Sequence, residues 1–324
     1  MKSICLVIPF FGKFHNYFNL WLESVRHNKN IDFLIITDNE EAYDFPDNVK
    51  LVKTSLDILK EKIQRLYSFK IKIDTPYKLC DFRPAYGDIF REELAEFDFW
   101  GYCDVDLIFG DIRKFVTNEI LEQYEKINLH GHFSLYKNNE KMNLLYKKNF
   151  KELIDYKYVF QHNWSYHFDE YPGISFYCQQ DNVMTIDIEQ YADMSWLNHK
   201  FIKKYDKSER LDDNSDIEQI FYWKDGKLLN LIKDNGRVKI EEFMYIHLQK
   251  RKMVNKVQDI EKGYFIVPNE FIQLEYEQAI NKISEYSVDK ECEYAKIFRK
   301  ECRINRFKID YWKHKIKMSG KRCE

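Results

Sequence analysis

Two uninterrupted apolar runs of strand length, at 3–9 and 31–37, stand close together near the amino terminus with one helix-length segment between them. Their centres, Ile4-Cys5-Leu6-Val7-Ile8 and Phe33-Leu34-Ile35-Ile36, show no polar alternation. A strand of that kind needs both faces covered, as parallel strands have in a helix-flanked sheet. The intervening segment, 18–27, sets Leu22 and Val25 at helical spacing. A third run at 49–54 is followed by Ser55, a helix cap by residue type, and by Leu56, Leu59, Ile63 and Leu66 on one face of a helix reaching about residue 67. Strand, helix and strand in alternation, joined by right-handed crossovers, predict an α/β fold with a mostly parallel, doubly wound sheet.

Downstream, the spacing predicts a helix over 83–97 that starts near Pro84, then an aromatic strand, 97–103. A further strand is expected at 128–136 and a polar helix at 138–149. Pro172-Gly173 marks a turn, and two strands within 230–248 flank Asn235-Gly236. From about 269 onward Phe271, Leu274, Ala279, Ile280 and Ile283 suggest an amphipathic helix. The segment 296–322 is rich in Lys and Arg interleaved with Phe298, Phe307, Tyr311 and Trp312. The expected division is therefore a main domain, 1–268, with a nucleotide half (1–127) and an acceptor half (128–268), and a helical basic extension, 269–324.

Composition narrows the classes. With 44% hydrophobic and 17% aromatic residues the chain can bury a sizeable core. Lys+Arg 51 against Asp+Glu 53, a formal net charge of -2, argues against a dedicated nucleic-acid binder. The first apolar run is too short for a signal peptide, and no stretch approaches the roughly 20 apolar residues of a membrane span. Seven scattered cysteines without a CxxC pair suggest neither a disulfide framework nor a thiolate zinc site, which fits a reduced, cytoplasmic protein.

Three constellations carry possible chemistry. Asp104-Val105-Asp106 places two carboxylates just past the aromatic strand, where open α/β sheets bind ligands. Such a pair can hold a divalent cation that neutralises a diphosphate, or can be a solvated acidic turn. In Tyr245-Ile246-His247-Leu248-Gln249-Lys250-Arg251 an imidazole ends a strand-like run and two cations follow. His247 can complete the shell of a carboxylate-held metal, and Lys250 or Arg251 can stabilise phosphate charge; a structural histidine before a basic turn is the plainer alternative. Lys78, Asp81 and Arg83 cluster where a loop enters a helix, as an anion site or as a charged cap. Neither GxGxxG nor GxxxxGK[ST] occurs.

Together these features resemble a GT-A glycosyltransferase. The first strand ends in Ile8-Pro9-Phe10-Phe11-Gly12, and the DxD triplet follows about a hundred residues in. The blocks from Tyr77 to Gly87 and from Asp98 to Asp111, with Gly131-His132-Phe133-Ser134-Leu135-Tyr136 and His247-Leu248-Gln249-Lys250-Arg251, are similar to a family of bacterial proteins from capsule and surface-polysaccharide gene clusters. The resemblance covers about residues 1–270. It implies a Rossmann-like sheet and a Mn²⁺ or Mg²⁺ cofactor ligated directly by Asp106 and His247. Asp104 would contact the ribose or reach the ion through water. Pro9, Phe10, Phe11 and Asp38 would flank base and ribose, and Lys78, Asp81 and Arg83 would lie over the diphosphate or donor sugar.

The implied reaction moves a hexose, galactose by family association, from a UDP-linked nucleotide-sugar donor to a lipid-linked glycan acceptor. An inverting enzyme also needs a carboxylate to take the acceptor proton. Asp169, Glu170 and Asp181 are the candidates, with Asp169 favoured. The aromatics around them, Trp164, Tyr166, Phe168, Tyr171, Phe176 and Tyr177, are either a sugar platform or core. The basic tail could rest on an anionic membrane surface, making the protein peripheral on the inner face of the cell membrane. Two rivals remain: a metal-dependent nucleotidyl- or phosphotransferase, and a non-catalytic scaffold of polysaccharide assembly.

Overall fold

The computed structural model describes residues 1–194, 201–203, 217–249, 251 and 253–287. Lys250 and the basic segment 296–322 lie outside the described residues. The chain forms two compact units that are interleaved along the sequence: Met1–Phe14, Asn28–Val105 and Val116–Ile188 make one, and His15–His27, Asp106–Phe115 and Glu189–Glu324 the other.

The first unit is built on a seven-stranded sheet in the order Val49–Lys53, Asp32–Thr37, Ile4–Pro9, Phe99–Cys103, Phe133–Lys137, Lys126–Ile127, Thr185–Ile186. Its first four strands are parallel. Phe133–Lys137 is antiparallel to both neighbours, and Lys126–Ile127 is parallel to Thr185–Ile186. The apolar runs are central, as their lack of alternation demands: residues 4–8, 33–37 and 99–103 are buried throughout. Strand order reverses at Ile4–Pro9, which has Asp32–Thr37 on one side and Phe99–Cys103 on the other. Carboxyl ends at such a reversal are where open α/β sheets bind ligands. Ser55 caps the helix Leu56–Gln64 as expected, accepting from the Ile58 amide.

The expected helix over 83–97 is replaced by consecutive 3₁₀ turns, Pro76–Ala85, one α-helical turn, Tyr86–Ile89, and further turns to residue 96. Pro84 cannot donate within a helix. Gly87 sits so close to the sheet that a Cβ there would lie 2.5 Å from Trp100 Nε1 and Asn143 Oδ1, two atoms joined by a 2.6 Å hydrogen bond. The strand expected at 128–136 breaks into Lys126–Ile127 and Phe133–Lys137, with Asn128 in a left-handed conformation (φ 59) between them. The polar helix at 138–149 shortens to Glu140–Asn143, capped by Asn139, and a 3₁₀ turn, Leu145–Lys147.

The second unit holds two sheets. A six-stranded, largely antiparallel sheet runs Arg237–Phe243, Lys227–Asp234, Glu218–Lys224, Tyr264–Val267, Glu270–Ile272, Val254–Asn255. Its first two hairpins turn at Asp225-Gly226 (φ 49 and 75) and Asn235-Gly236 (φ 48 and 78), the paired positive φ values of a type I′ turn. The helix predicted from 269 begins only after strand Glu270–Ile272, as Tyr276–Asn281 and Ile283–Tyr286. Ala279 and Ile283 bury against Ile220, Leu231, Phe265 and Val267 of this sheet. The helix Phe18–Arg26 belongs to this unit, where Leu20 joins Ile108, Phe221, Trp223 and Ile246 in the core.

A four-stranded sheet runs Phe201–Lys203, Tyr191–Met194, Tyr245–His247, Leu107–Phe109. Tyr245–His247 is parallel to Tyr191–Met194, with His247 opposite Asp193. It is antiparallel to Leu107–Phe109, with His247 opposite Leu107. Among the described residues no helix is long and apolar enough to cross a membrane.

Candidate functional site

One of the chain's passages between the units falls at Val105 and Asp106, so Asp104 belongs to the first unit and Asp106 to the second. In the second unit, strand register gathers Asp106, Asp193 and His247. The Leu248 amide donates to the Asp106 carbonyl (2.9 Å), which carries the antiparallel pairing one residue past Leu107. His247 Nδ1 then lies 2.6 Å from Asp193 Oδ1, and Nε2 lies 3.6 Å from Asp106 Oδ1. Gln249 Nε2 donates to the same Asp193 oxygen (3.0 Å). Asp106 and His247 are buried. Burial opposes the imidazolium, but the Asp106 and Asp193 carboxylates outweigh it and hold the His247 pKa well above its ordinary value.

Asp106 and His247 could together hold a divalent metal. The 3.6 Å between Nε2 and Oδ1 exceeds a hydrogen bond, yet two ligands each about 2.1 Å from a shared ion span such a distance. Imidazole nitrogen with carboxylate oxygen permits Mn²⁺ and does not exclude Mg²⁺.

In the first unit a second cluster forms around Arg83. Its Nη1 donates to Asp169 Oδ2 (2.8 Å) and to the Gly131 carbonyl, and its Nη2 pairs with Asp104. The guanidinium carbon sits 5.0 Å from the Tyr102 ring centroid, while the Tyr102 hydroxyl donates to the Asp169 carbonyl (2.9 Å). Burial works against the Arg83 charge, and the Asp104 and Asp169 carboxylates more than restore it. Burial pushes the Asp169 carboxyl from 3.8 up to about 7; Arg83 opposes this, and the neighbouring Glu170 and Asp81 add to it. Glu170 moves the other way. Burial would raise it, but the His167 ring, 2.8 Å away, holds it below its usual value.

The 9–12 loop and Asp38 also meet, beyond the carboxyl ends of the first two strands. Asp38 Oδ1 accepts from the Gly12 amide (2.7 Å), and Asn39 Nδ2 donates to the Gly12 carbonyl (3.1 Å). Gly12 adopts φ 104, with nothing within 4 Å of where a Cβ would stand. Here Phe10 stacks on Phe14 with centroids 4.7 Å apart, Phe11 is buried, Pro9 and Phe10 are half-buried, and Asp38 is exposed.

Other expected site residues are differently employed. Lys78 and Asp81 are fully enclosed and paired at 2.7 Å. The Lys78 ammonium also donates to the Val159 (2.9 Å) and Trp164 (2.7 Å) carbonyls, which uses all three of its hydrogens. Asp81 accepts from the Tyr166 and Phe168 amides, each at 3.0 Å. In place of the diphosphate contact implied for them, this pair anchors the segment that presents Asp169. Asp181 follows the carboxyl end of the helix Ile174–Gln180 and pairs with Lys148, apart from the Arg83 cluster. Trp164 is half-buried, while Tyr166, Phe168 and Tyr177 are core and Tyr171 is exposed.

Asp193 and Tyr102 are the residues sequence reasoning missed. Asp193 occupies a four-residue strand with no local signature, and its pairing spans 54 positions. Tyr102 carries no sequence signal beyond its place in an aromatic strand.

Residues 6–275 match a family described as a family of unknown function (DUF6625). The chain belongs to that family. The match runs through both units and includes every site residue described above. No curated protein matches the chain.

Proposed function

We propose that this DUF6625 member is a metal-dependent GT-A glycosyltransferase. It would transfer a hexose, galactose as first choice, from a UDP-linked donor to a lipid-linked glycan in bacterial surface-polysaccharide synthesis. The observation that carries this reading is the register-imposed pair of Asp106 and His247. Asp104, two residues before Asp106, stands past the carboxyl end of a strand beside the reversal of strand order.

Asp106 and His247 would hold Mn²⁺ or Mg²⁺. When bound, that cation supplies charge neutralisation for the departing nucleoside diphosphate. Residues 9–12 and Asp38 would flank base and ribose, with Asp104 turned toward the ribose or ion. Arg83 orients the Asp104 and Asp169 carboxylates. Asp169 is the base of an inverting transfer: with its carboxyl near 7 it can take the acceptor hydroxyl proton at neutral pH. The opposite displacements of Asp169 and Glu170 support this division, since neighbouring groups whose proton affinities are driven apart suit separate roles. The basic segment 296–322 would rest on an anionic membrane surface that carries the acceptor.

Thermal denaturation with UDP, GDP or CMP, each with and without Mn²⁺, tests the reading. Metal-dependent stabilisation by UDP is expected. Indifference to all three nucleotides would remove it, and pyrophosphate release from a nucleoside triphosphate would replace it with nucleotidyl transfer.

A further inference from the structure

We infer that Asp193 is a positioning residue for the metal centre, acting through His247 and not as a ligand; the inference rests on the metal reading above. His247 has two ring nitrogens, and they face different carboxylates. Nδ1 is 2.6 Å from Asp193 Oδ1, a short charge-assisted hydrogen bond. Nε2 is 3.6 Å from Asp106 Oδ1, across a gap that a shared cation would span. With the proton kept on Nδ1 by Asp193, the Nε2 lone pair is directed at the ion, and the negative partner raises the basicity of that nitrogen.

Backbone and side chain both build this arrangement. Asp193 is the register partner of His247 in a parallel pair, so the two side chains leave the same face of adjacent strands. The Asp193 oxygen that accepts from the ring also accepts from Gln249 Nε2 at 3.0 Å. Two donors converging on Oδ1 fix the carboxylate against the Nδ1 side of the ring, opposite the Nε2 side that faces Asp106. The ring is buried, which limits its rotation.

Isothermal titration of Mn²⁺ into the full chain and its variants tests the assignment. Asp193→Asn is expected to weaken Mn²⁺ binding roughly 10- to 100-fold. In a His247→Ala background the same substitution should change affinity by no more than about two-fold, because the residue through which it acts is gone. Equal losses in both backgrounds would reduce Asp193 to a source of negative field and overturn the inference. If Asp106→Ala weakens Mn²⁺ binding and Asp193→Asn does not, the metal centre stands and the role of Asp193 falls. A wild-type chain that binds no Mn²⁺ overturns both. Should Asp193→Asn fold poorly, Gln249→Leu loosens the same carboxylate without altering charge. It should weaken binding a few-fold in wild type and not in His247→Ala; no effect in either background would count against the assignment.

Discussion

Each unit gathers two aspartates around one cationic side chain, but the cations differ in what they can give up. Asp104 and Asp169 share Arg83, a group that keeps its proton at any accessible pH. Asp106 and Asp193 flank His247, whose Nε2 can exchange a proton for a metal ion. One cluster keeps its counter-charge permanently. The other can trade its own for a metal ion, and on the proposed reading that difference separates a scaffold for carboxylates from a receptor for a cation.

The largest effect should come from breaking the fixed cluster. Arg83→Met leaves two carboxylates without their counter-charge in a site where Arg83 and Asp169 are nearly enclosed. Removing one partner of a buried pair costs about 3–5 kcal/mol, so urea unfolding should show a loss of that order, unrelieved by Mn²⁺. A variant as stable as wild type would mean that the guanidinium is dispensable and the contrast between the clusters is illusory.

Metal addition sharpens the contrast from the other side. At a hundredfold excess over its dissociation constant Mn²⁺ should stabilise wild type by about 2.7 kcal/mol. His247→Ala and Asp106→Ala should lose most of that increment, while Tyr102→Phe should keep it. Equal Mn²⁺ responses in Asp106→Ala and wild type would remove Asp106 from the metal centre.

Proton linkage distinguishes the clusters again. The Asp169 carboxyl is displaced upward, from 3.8 to about 7, so across that interval the folded chain holds a proton that the unfolded chain has released. The stability from this group is complete below pH 3.8 and is lost as pH rises through about 7. Asp169→Asn removes this dependence, and the variant should therefore gain on wild type between pH 4 and 7. Parallel stability profiles over that range would show that Asp169 is not displaced. The same substitution should slow sugar transfer by about 10²- to 10⁴-fold if Asp169 is the base.

How much of this was legible in the sequence depended on whether partners are local. The parallel sheet followed from unbroken apolar runs, and the hairpin at Asn235-Gly236 from a dipeptide that tolerates positive φ. Asp104, Asp106 and His247 were visible because strand ends expose chemistry in short motifs. Lys78 and Asp81 mislead because charged residues in a loop suggest solvent. Their burial depends on the Tyr166 and Phe168 amides, supplied by a segment more than eighty positions away. Asp193 was invisible for a related reason: register within a sheet, not spacing along the chain, makes it the neighbour of His247. The failed helix at 83–97 shows the converse, where a helical pattern yielded to the close approach of Gly87 to Trp100.

The smallest expected effect comes from removing one hydroxyl of the fixed cluster. Tyr102→Phe retains the ring over which Arg83 lies, at 5.0 Å, and removes the hydroxyl that donates to the Asp169 carbonyl at 2.9 Å. A buried acceptor deprived of its donor costs about 1–2 kcal/mol. The urea midpoint should therefore fall while the slope of the transition is unchanged. Mn²⁺ affinity should not move, because nothing in this substitution touches His247 or its two carboxylates. A fall in Mn²⁺ affinity comparable to that of Asp193→Asn would mean that the Arg83 cluster also governs the metal.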